Sequence, residues 1–297
     1  MPMNTGQFNN LYIRKIDKAF FEAWDEEKEQ WSDYLQDDSA DGNNVTVQTF
    51  AGIGRWTKKD ELANPLEQTF KLGDLIVTTF DPFAVEIIMS REQVDDAKYN
   101  EVENMVKDAG HAGRDTVEGE AVKLLDNAFT AGATAIYDGK ALCASDHPNR
   151  GSGGGTQSNL ATGALTDANL RSAIILFRKQ KDENAKKILA RPTKLVLHQA
   201  QQFAAATILQ SAQVSGTANN DKNPLPSLQI VLSDFMASET AYFLLGKRHQ
   251  LRHYWRVKPE FKREKEMRSN GSWAWQGYFR HGYVAENWRQ IVGSTGL

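Results

Sequence analysis

ASDHPNRGSGGGTQSNL, residues 144–160, lies between two stretches that both read as regular structure. Its residue types invite three chemistries, and each fails on spacing. Ser145, Asp146 and His147 are the residues of a hydrolase triad, but they are adjacent, and neighbours along a chain point in diverging directions. Cys143 and His147 stand four apart with no nucleophile signature around them, so Cys143 reads as a small buried residue beside a loop. Gly151–Gly155 lead into Thr156-Gln157 without the Lys-Ser/Thr pair of a phosphate loop, and Gly52-Ile53-Gly54 is only a fragment of a dinucleotide motif. What is left is a polar turn in which Asp146 bonds local backbone and Pro148 fixes the bend. Gly151, Gly153, Gly154 and Gly155 are then expected to form a flexible joint.

Toward the N-terminus, Ile13, Ile16, Phe20, Trp24, Trp31 and Leu35 recur at spacings of three, four or seven. This predicts one amphipathic helix over 11–35, and its aromatic face needs a surface to dock on. DDSADGNN at 37–44 reads as a turn-rich linker. Residues 45–88 predict an over-long two-stranded excursion with a polar tip at 57–65, a form more often supported by a neighbouring chain than by its own domain. Ser90 with Gln93 three residues on is a capping box, so a long helix should start there. Its stripe runs through Val94, Ala97, Val102, Met105, Val106 and Ala109, resumes at Val117, and is expected to kink or break at Gly110 and Gly113. Residues 135–143 predict a short hairpin around Asp138-Gly139.

Toward the C-terminus, Thr166 or Asp167 caps a helix carrying Leu170, Ala173, Ile174 and Phe177. A strand at 193–197, a helix at 199–210 and a strand at 228–232 follow, an α/β unit. Beyond Ala241 the pattern is β, with a hairpin turned at Asn270-Gly271.

The 297 residues, with 40% apolar content and seven Trp, suffice for about two domains. No run of about 18 apolar residues occurs, so no membrane contact is expected, and MPMNTGQFNN lacks a signal-peptide pattern. A lone cysteine permits no internal disulfide framework and fits synthesis in a reducing cytoplasm. Net charge is −3, unlike a dedicated nucleic-acid binder, but residues 1–41 carry −6 and residues 247–268 carry +6. The plain reading is a pair of solvated faces; the sharper one is that these segments meet, within or between subunits. His249 and His253 lack the companions of a metal site and read as part of a basic surface strand. Arg248–Arg268 with Tyr254, Trp255 and Phe261 offers at most a non-specific phosphate surface. No catalytic, cofactor or metal site is expected.

The words Ser145-Asp146-His147-Pro148-Asn149, the glycines, and Ser158-Asn159-Leu160 resemble a segment of the major head subunits of Mu-like bacteriophages. Helix 170–177, the strand after Arg191-Pro192, Tyr242–Leu245 and 273–283 are similar in order to that family. The resemblance implies an α+β chain with the major capsid fold of tailed phages and herpesviruses. Its parts would be an N-terminal arm (1–44), an extended β-hairpin loop (45–88), a peripheral domain with spine helix (89–140), an inserted axial domain (141–235) and a β-rich return to the periphery (236–297). It further implies self-assembly into hexamers and pentamers of an icosahedral virion shell around double-stranded DNA, held non-specifically. Scaffold, portal and decoration proteins would be further partners, and assembly would take place in the host cytoplasm. No acidic scaffold segment precedes the arm, so scaffolding would come from elsewhere. An encapsulin-like compartment is the alternative with the same fold, and a hydrolase using Asp146 and His147 the alternative of another class. On the capsid reading Trp24, Trp31, Trp56 and Phe70 would be buried only in the assembly. Glu26 and Glu27 would meet Arg263 and Lys265 across a subunit boundary.

Overall fold

The computed structural model describes residues 5–50, 58–62, 64, 65, 67, 72–90, 92, 93, 99–134, 136–149, 154–211, 213, 222–225, 227–264, 266 and 268–297. In chain order they form helix α1 (Thr5–Trp24), a 3-10 turn (Trp31–Asp33), β1 (Gln36–Ser39), β2 (Asn44–Phe50), β3 (Leu72–Thr79), β4 (Asp81–Met89) and the long helix α2 (Tyr99–Asp126). There follow β5 (His147–Pro148), β6 (Thr156–Gln157), β7 (Leu160–Ala161), α3 (Asp167–Lys179), β8 (Pro192–His198), α4 (Gln202–Gln210), β9 (Gln229–Ser233), β10 (Tyr242–Gly246), β11 (Gln250–Arg263), β12 (Trp273–Asn287) and β13 (Ile291–Ser294).

Two sheets organise the chain. One has the order β1-β11-β12-β4, the other β7-β13-β10-β8-β9. The second sheet is buried on both faces, and the period-two alternation of its strands divides it between two cores. Leu195, Leu197, Tyr242, Leu244 and Val292 pack with α3 and α4. Val196, Val231, Phe243, Leu245 and Ile291 face the other way, into the core that holds α1, α2 and the long sheet. Residues 236–297, expected as one peripheral segment, are therefore shared out. β10 and β13 close the second sheet, while β11 and β12 form the centre of the first.

Several local expectations hold. Ser90 and Gln93 bond reciprocally, backbone N–H to side-chain oxygen, at 3.0 and 3.2 Å. Thr166 Oγ1 accepts from Asn169 N at 3.2 Å and starts α3. β8 and β9 run parallel around α4, as an α/β unit requires. Other expectations fail. The first helix stops at Trp24 instead of reaching Leu35; the chain turns, and Trp31, Tyr34 and Leu35 enter the core from a 3-10 turn and the residues after it. The linker expected at 37–44 begins as β1, which pairs in parallel with β11. β2 and β3 form the expected two-stranded ribbon, but β4 leaves it to pair with β12. At 135–143 only the turn is present, with Gly139 at φ +69° and its N–H on Ile136 O.

Helix α2 passes through Gly110 and Gly113 unbroken, because these glycines serve contact rather than flexibility. A Cβ on Gly110 would lie 2.7 Å from Phe20 O, and one on Gly113 2.4 Å from Trp24 Cζ3. The two helices cross at a distance only glycine allows. Gly119 on the same helix has nothing within 4 Å of its missing Cβ. Gly119→Ala should therefore raise stability by up to ~1 kcal/mol through helix propensity. Gly113→Ala should lower it by ~1–3 kcal/mol through overpacking. Urea unfolding midpoints of the two variants compare them directly.

Candidate functional site

The 144–160 stretch is a weld. His147 is fully buried, its Nδ1 2.6 Å from Asp138 Oδ2 and its Nε2 3.0 Å from Asn159 Oδ1, with the Trp288 ring stacked on it at 4.2 Å. Asn159 Nδ2 donates to the carbonyls of Leu142 and Trp288, which fixes the amide so that Oδ1 is the acceptor for His147 and for Ala144 N. Both ring nitrogens of His147 thus face oxygens inside the core, and neither is open to a substrate. A general base needs a bare nitrogen. Asp146 lies on the outside, paired with Lys140, and Cys143 is buried with its thiol pushed up by burial. The hydrolase geometry is absent here.

A second set of contacts, silent in the sequence, completes the weld. Arg289 Nη1 reaches Glu183 Oε1 at 2.6 Å and Tyr137 Oη at 2.8 Å, its Nε donates to Lys181 O, and its guanidinium lies 4.5 Å over Trp288. Arg289 and Glu183 are buried together, where a charge pair held by several directed hydrogen bonds fixes one geometry.

Of the glycines expected as a joint, Gly154 and Gly155 are tied into a closed loop. β5 pairs with β6 through His147↔Gln157 and Pro148↔Thr156, so the loop between them leaves and returns at one place. Asn149 closes it further, its N–H on Gly155 O at 2.9 Å and its Nδ2 on Gly154 O at 3.0 Å. A loop whose two ends are bonded to each other can move without reorienting what lies on either side. Gly154 and Gly155 stand at φ +52° and +79°, left-handed backbone at the base of the loop just before β6. Gly151 and Gly153 lie outside the described residues.

The proposed inter-subunit contacts divide likewise. Trp24 and Trp31 are 5% and 1% exposed within the single chain, so they are core residues and need no assembly to be covered. Glu26 lies 3.3 Å from His111 of its own chain, and Glu27 is exposed. Arg263 lies 4.3 Å over the Trp273 ring and sits near Asp17. The acidic and basic segments do meet, but inside the subunit: Asp38 pairs with Arg252 at 3.0 Å and Asp37 lies 3.0 Å from His253. Trp56, Phe70 and Lys265 lie outside the described residues. His249 and His253, expected on a basic surface strand, are buried, since β11 lies under the N-terminal segment. No helix among the described residues is long and apolar enough to cross a membrane.

Several apolar side chains stay exposed on the single chain, Phe203, Leu189 and Ile175 among them, and two such places lie on strands. On the β2–β3 ribbon, Leu75 and Val77 are 60% and 52% exposed. Ile76 between them is buried, so the two share the outer face. The free edge of β4 carries Ile88, also half exposed.

Comparison with known proteins accounts for this architecture. A family model described as phage capsid protein matches residues 76–294, so the chain belongs to the phage capsid protein family. It is a structural, shell-forming subunit. A solved virus-like particle from Pyrococcus furiosus is similar over 95% of this chain and 99% of its own, with TM-score 0.57 and 10% identity. The capsid of cyanophage P-SCSP1u is similar over 88% and 85%, with TM-score 0.53 and 10% identity. The holo-SrpI encapsulin complex from Synechococcus elongatus PCC 7942 is similar over 91% and 88%, with TM-score 0.54 and 9% identity. At such identities the likeness is one of fold, the mixed helix-and-sheet fold of tailed-phage capsids. No curated protein sequence matches the chain.

If the 144–160 stretch is structural, its residues should separate by burial and not by chemical type. His147→Ala leaves Asp138 buried without its partner and should cost ~3–5 kcal/mol. Asp146→Ala should leave the unfolding midpoint unchanged. Equal effects of the two in a denaturation series would contradict the weld.

Proposed function

We propose that this chain is the major head subunit of a tailed phage of the Mu-like type, assembling as hexamers and pentamers of an icosahedral shell that encloses double-stranded DNA. The observation that carries this reading is the β2–β3 ribbon: two strands with no third among the described residues and an apolar outer face on Leu75 and Val77. Two strands alone are marginal in water, and an exposed apolar ribbon is stabilised when a neighbouring copy covers it. The Mu-like attribution is supported by the words His147-Pro148-Asn149 and Ser158-Asn159, whose side chains Asn149 and Asn159 bond the loop and the weld together. Contact with DNA is non-specific in this reading, in keeping with a net charge of −3 and base residues gathered on β11. Scaffold, portal and decoration proteins are the further partners it calls for, the virion its destination and the host cytoplasm its place of assembly. The encapsulin likeness supports a second reading, a protein compartment without a genome, and nucleic-acid content distinguishes the two.

Light scattering and electron microscopy of the purified protein test the proposal. The wild type is expected as particles far larger than the 33.3 kDa chain, nucleic-acid-positive when recovered from packaging hosts. Leu75→Asp with Val77→Asp should leave circular dichroism unchanged and hold the protein as subunits or small oligomers. Full-sized particles from the double variant would remove the ribbon from the contact. A wild type that stays monomeric at raised concentration would remove the shell.

A further inference from the structure

Three of the four ring nitrogens of two buried histidines have no partner among the described residues. His253 on β11 and His281 on β12 are 0% and 2% exposed, with ring centroids 5.6 Å apart. His253 Nδ1 meets Asp37 Oδ1 of β1 at 3.0 Å, but its Nε2 and both nitrogens of His281 are buried without a hydrogen bond among the described residues. Aromatic rings enclose the pair. Trp31 lies 4.2 Å from His253, Trp255 4.6 Å and Tyr283 4.9 Å. Phe83 lies 4.9 Å from His281 and Phe279 5.3 Å. Two of the groups touching His253, Trp31 and Asp37, belong to the N-terminal segment; the rest belong to the long sheet.

From this geometry we infer that His253 and His281 form an acid-sensitive latch, which holds residues 31–39 against the long sheet when neutral and releases them when protonated. A proton on either ring creates a buried cation and at least one N–H with no acceptor, so the ring must find water. The side that yields is set by the pairing. β1 is an edge strand of four residues bonded only to β11, whereas β11 and β12 share a ladder from Gln250↔Asn287 to Arg263↔Trp275. Unpairing β1 and withdrawing Trp31 opens the cluster at least cost. A cavity of about 280 Å³ bordered by His281, Asp81, Glu120, Lys123 and Thr134 offers water on the other side.

The charged groups around the pair do not cancel the effect. Asp37, exposed on its outer side and near Lys258, would gain from a charged His253, but it reaches Nδ1 only and leaves Nε2 bare. Tyr283 Oη is committed to Val117 O. From α2, Glu118 accepts the backbone N–H groups of Gln30 and Trp31 at 2.8 and 2.9 Å, and burial pushes its carboxyl up to about 7. From β4, Asp81 stands opposite His281 in register and is exposed. Burial lowers His253 to about 3, and burial together with the neighbouring His253 lowers His281 to about 3. Groups lowered in this way favour the closed state fully above about 6.5, and that contribution is lost as pH falls toward 3. Glu118 acts oppositely between its ordinary value and 7, where the folded chain keeps the proton. Asp37, whose carboxyl burial also raises, acts in the same sense as Glu118; the two rings outweigh these carboxylates, and acid opens the latch.

Hydrogen exchange read by mass spectrometry, corrected for the intrinsic pH dependence of exchange, tests this on the wild-type protein. The latch belongs to the single chain, so its outcome does not depend on whether shells form. Protection of residues 31–39 should fall from pH 7 to pH 5 by about tenfold or more relative to β12. In His281→Phe, and separately in His253→Phe, the fall should be less than about threefold. Wild-type protection lost only together with β12, or variants that follow the wild type, would overturn the latch. Should both variants fail to fold, the wild-type series still decides: residues 31–39 must open before β12 does.

Discussion

The fold depends on one strand that belongs to two cores. Every residue of β10, Tyr242 to Gly246, is buried, and its side chains alternate between the core under α3 and the core under α2. A sheet covered on both faces cannot slip by one residue without exchanging the two sets of side chains. Its register therefore sets the relation between the two parts of the subunit. The His147–Asn159–Trp288 contacts and the Arg289–Glu183 pair then fasten the same junction with directional bonds. Apolar burial supplies the cohesion and buried polar groups the geometry.

What the sequence made legible was what local rules govern. The Ser90–Gln93 box, the Thr166 cap and the period-two strands depend on neighbours within a few residues, and they stand where the pattern placed them. What misled was spacing that continued after the structure had stopped. Trp31 and Leu35 prolong the stripe of α1, yet both are buried for another reason, as the chain turns back into the core. Gly110 and Gly113 looked like breaks because a sequence does not show that Phe20 and Trp24 press on them. The role of His147 rests on Asp138, Asn159 and Trp288, and only the fold brings the last of these near. Its type was visible and its burial was not.

The charge asymmetry shows the same limit from another side. Opposite ends of the chain carried opposite signs, and the structure joins them within one subunit through Asp38–Arg252 and the β1–β11 pairing. That ties Asp38 and Arg252 within the subunit, and the ribbon's apolar face is among the surfaces still open.

Asp37 and His253 touch across 216 residues of chain. During synthesis the N-terminal segment therefore leaves the ribosome long before the strand that receives it exists. Its Phe20 and Trp24 have a seat on α2 earlier, but the pairing of β1 must wait for the β11–β12 hairpin. Its crowd of carboxylates then has a temporal use, keeping an unplaced aromatic segment in solution until its seat is complete.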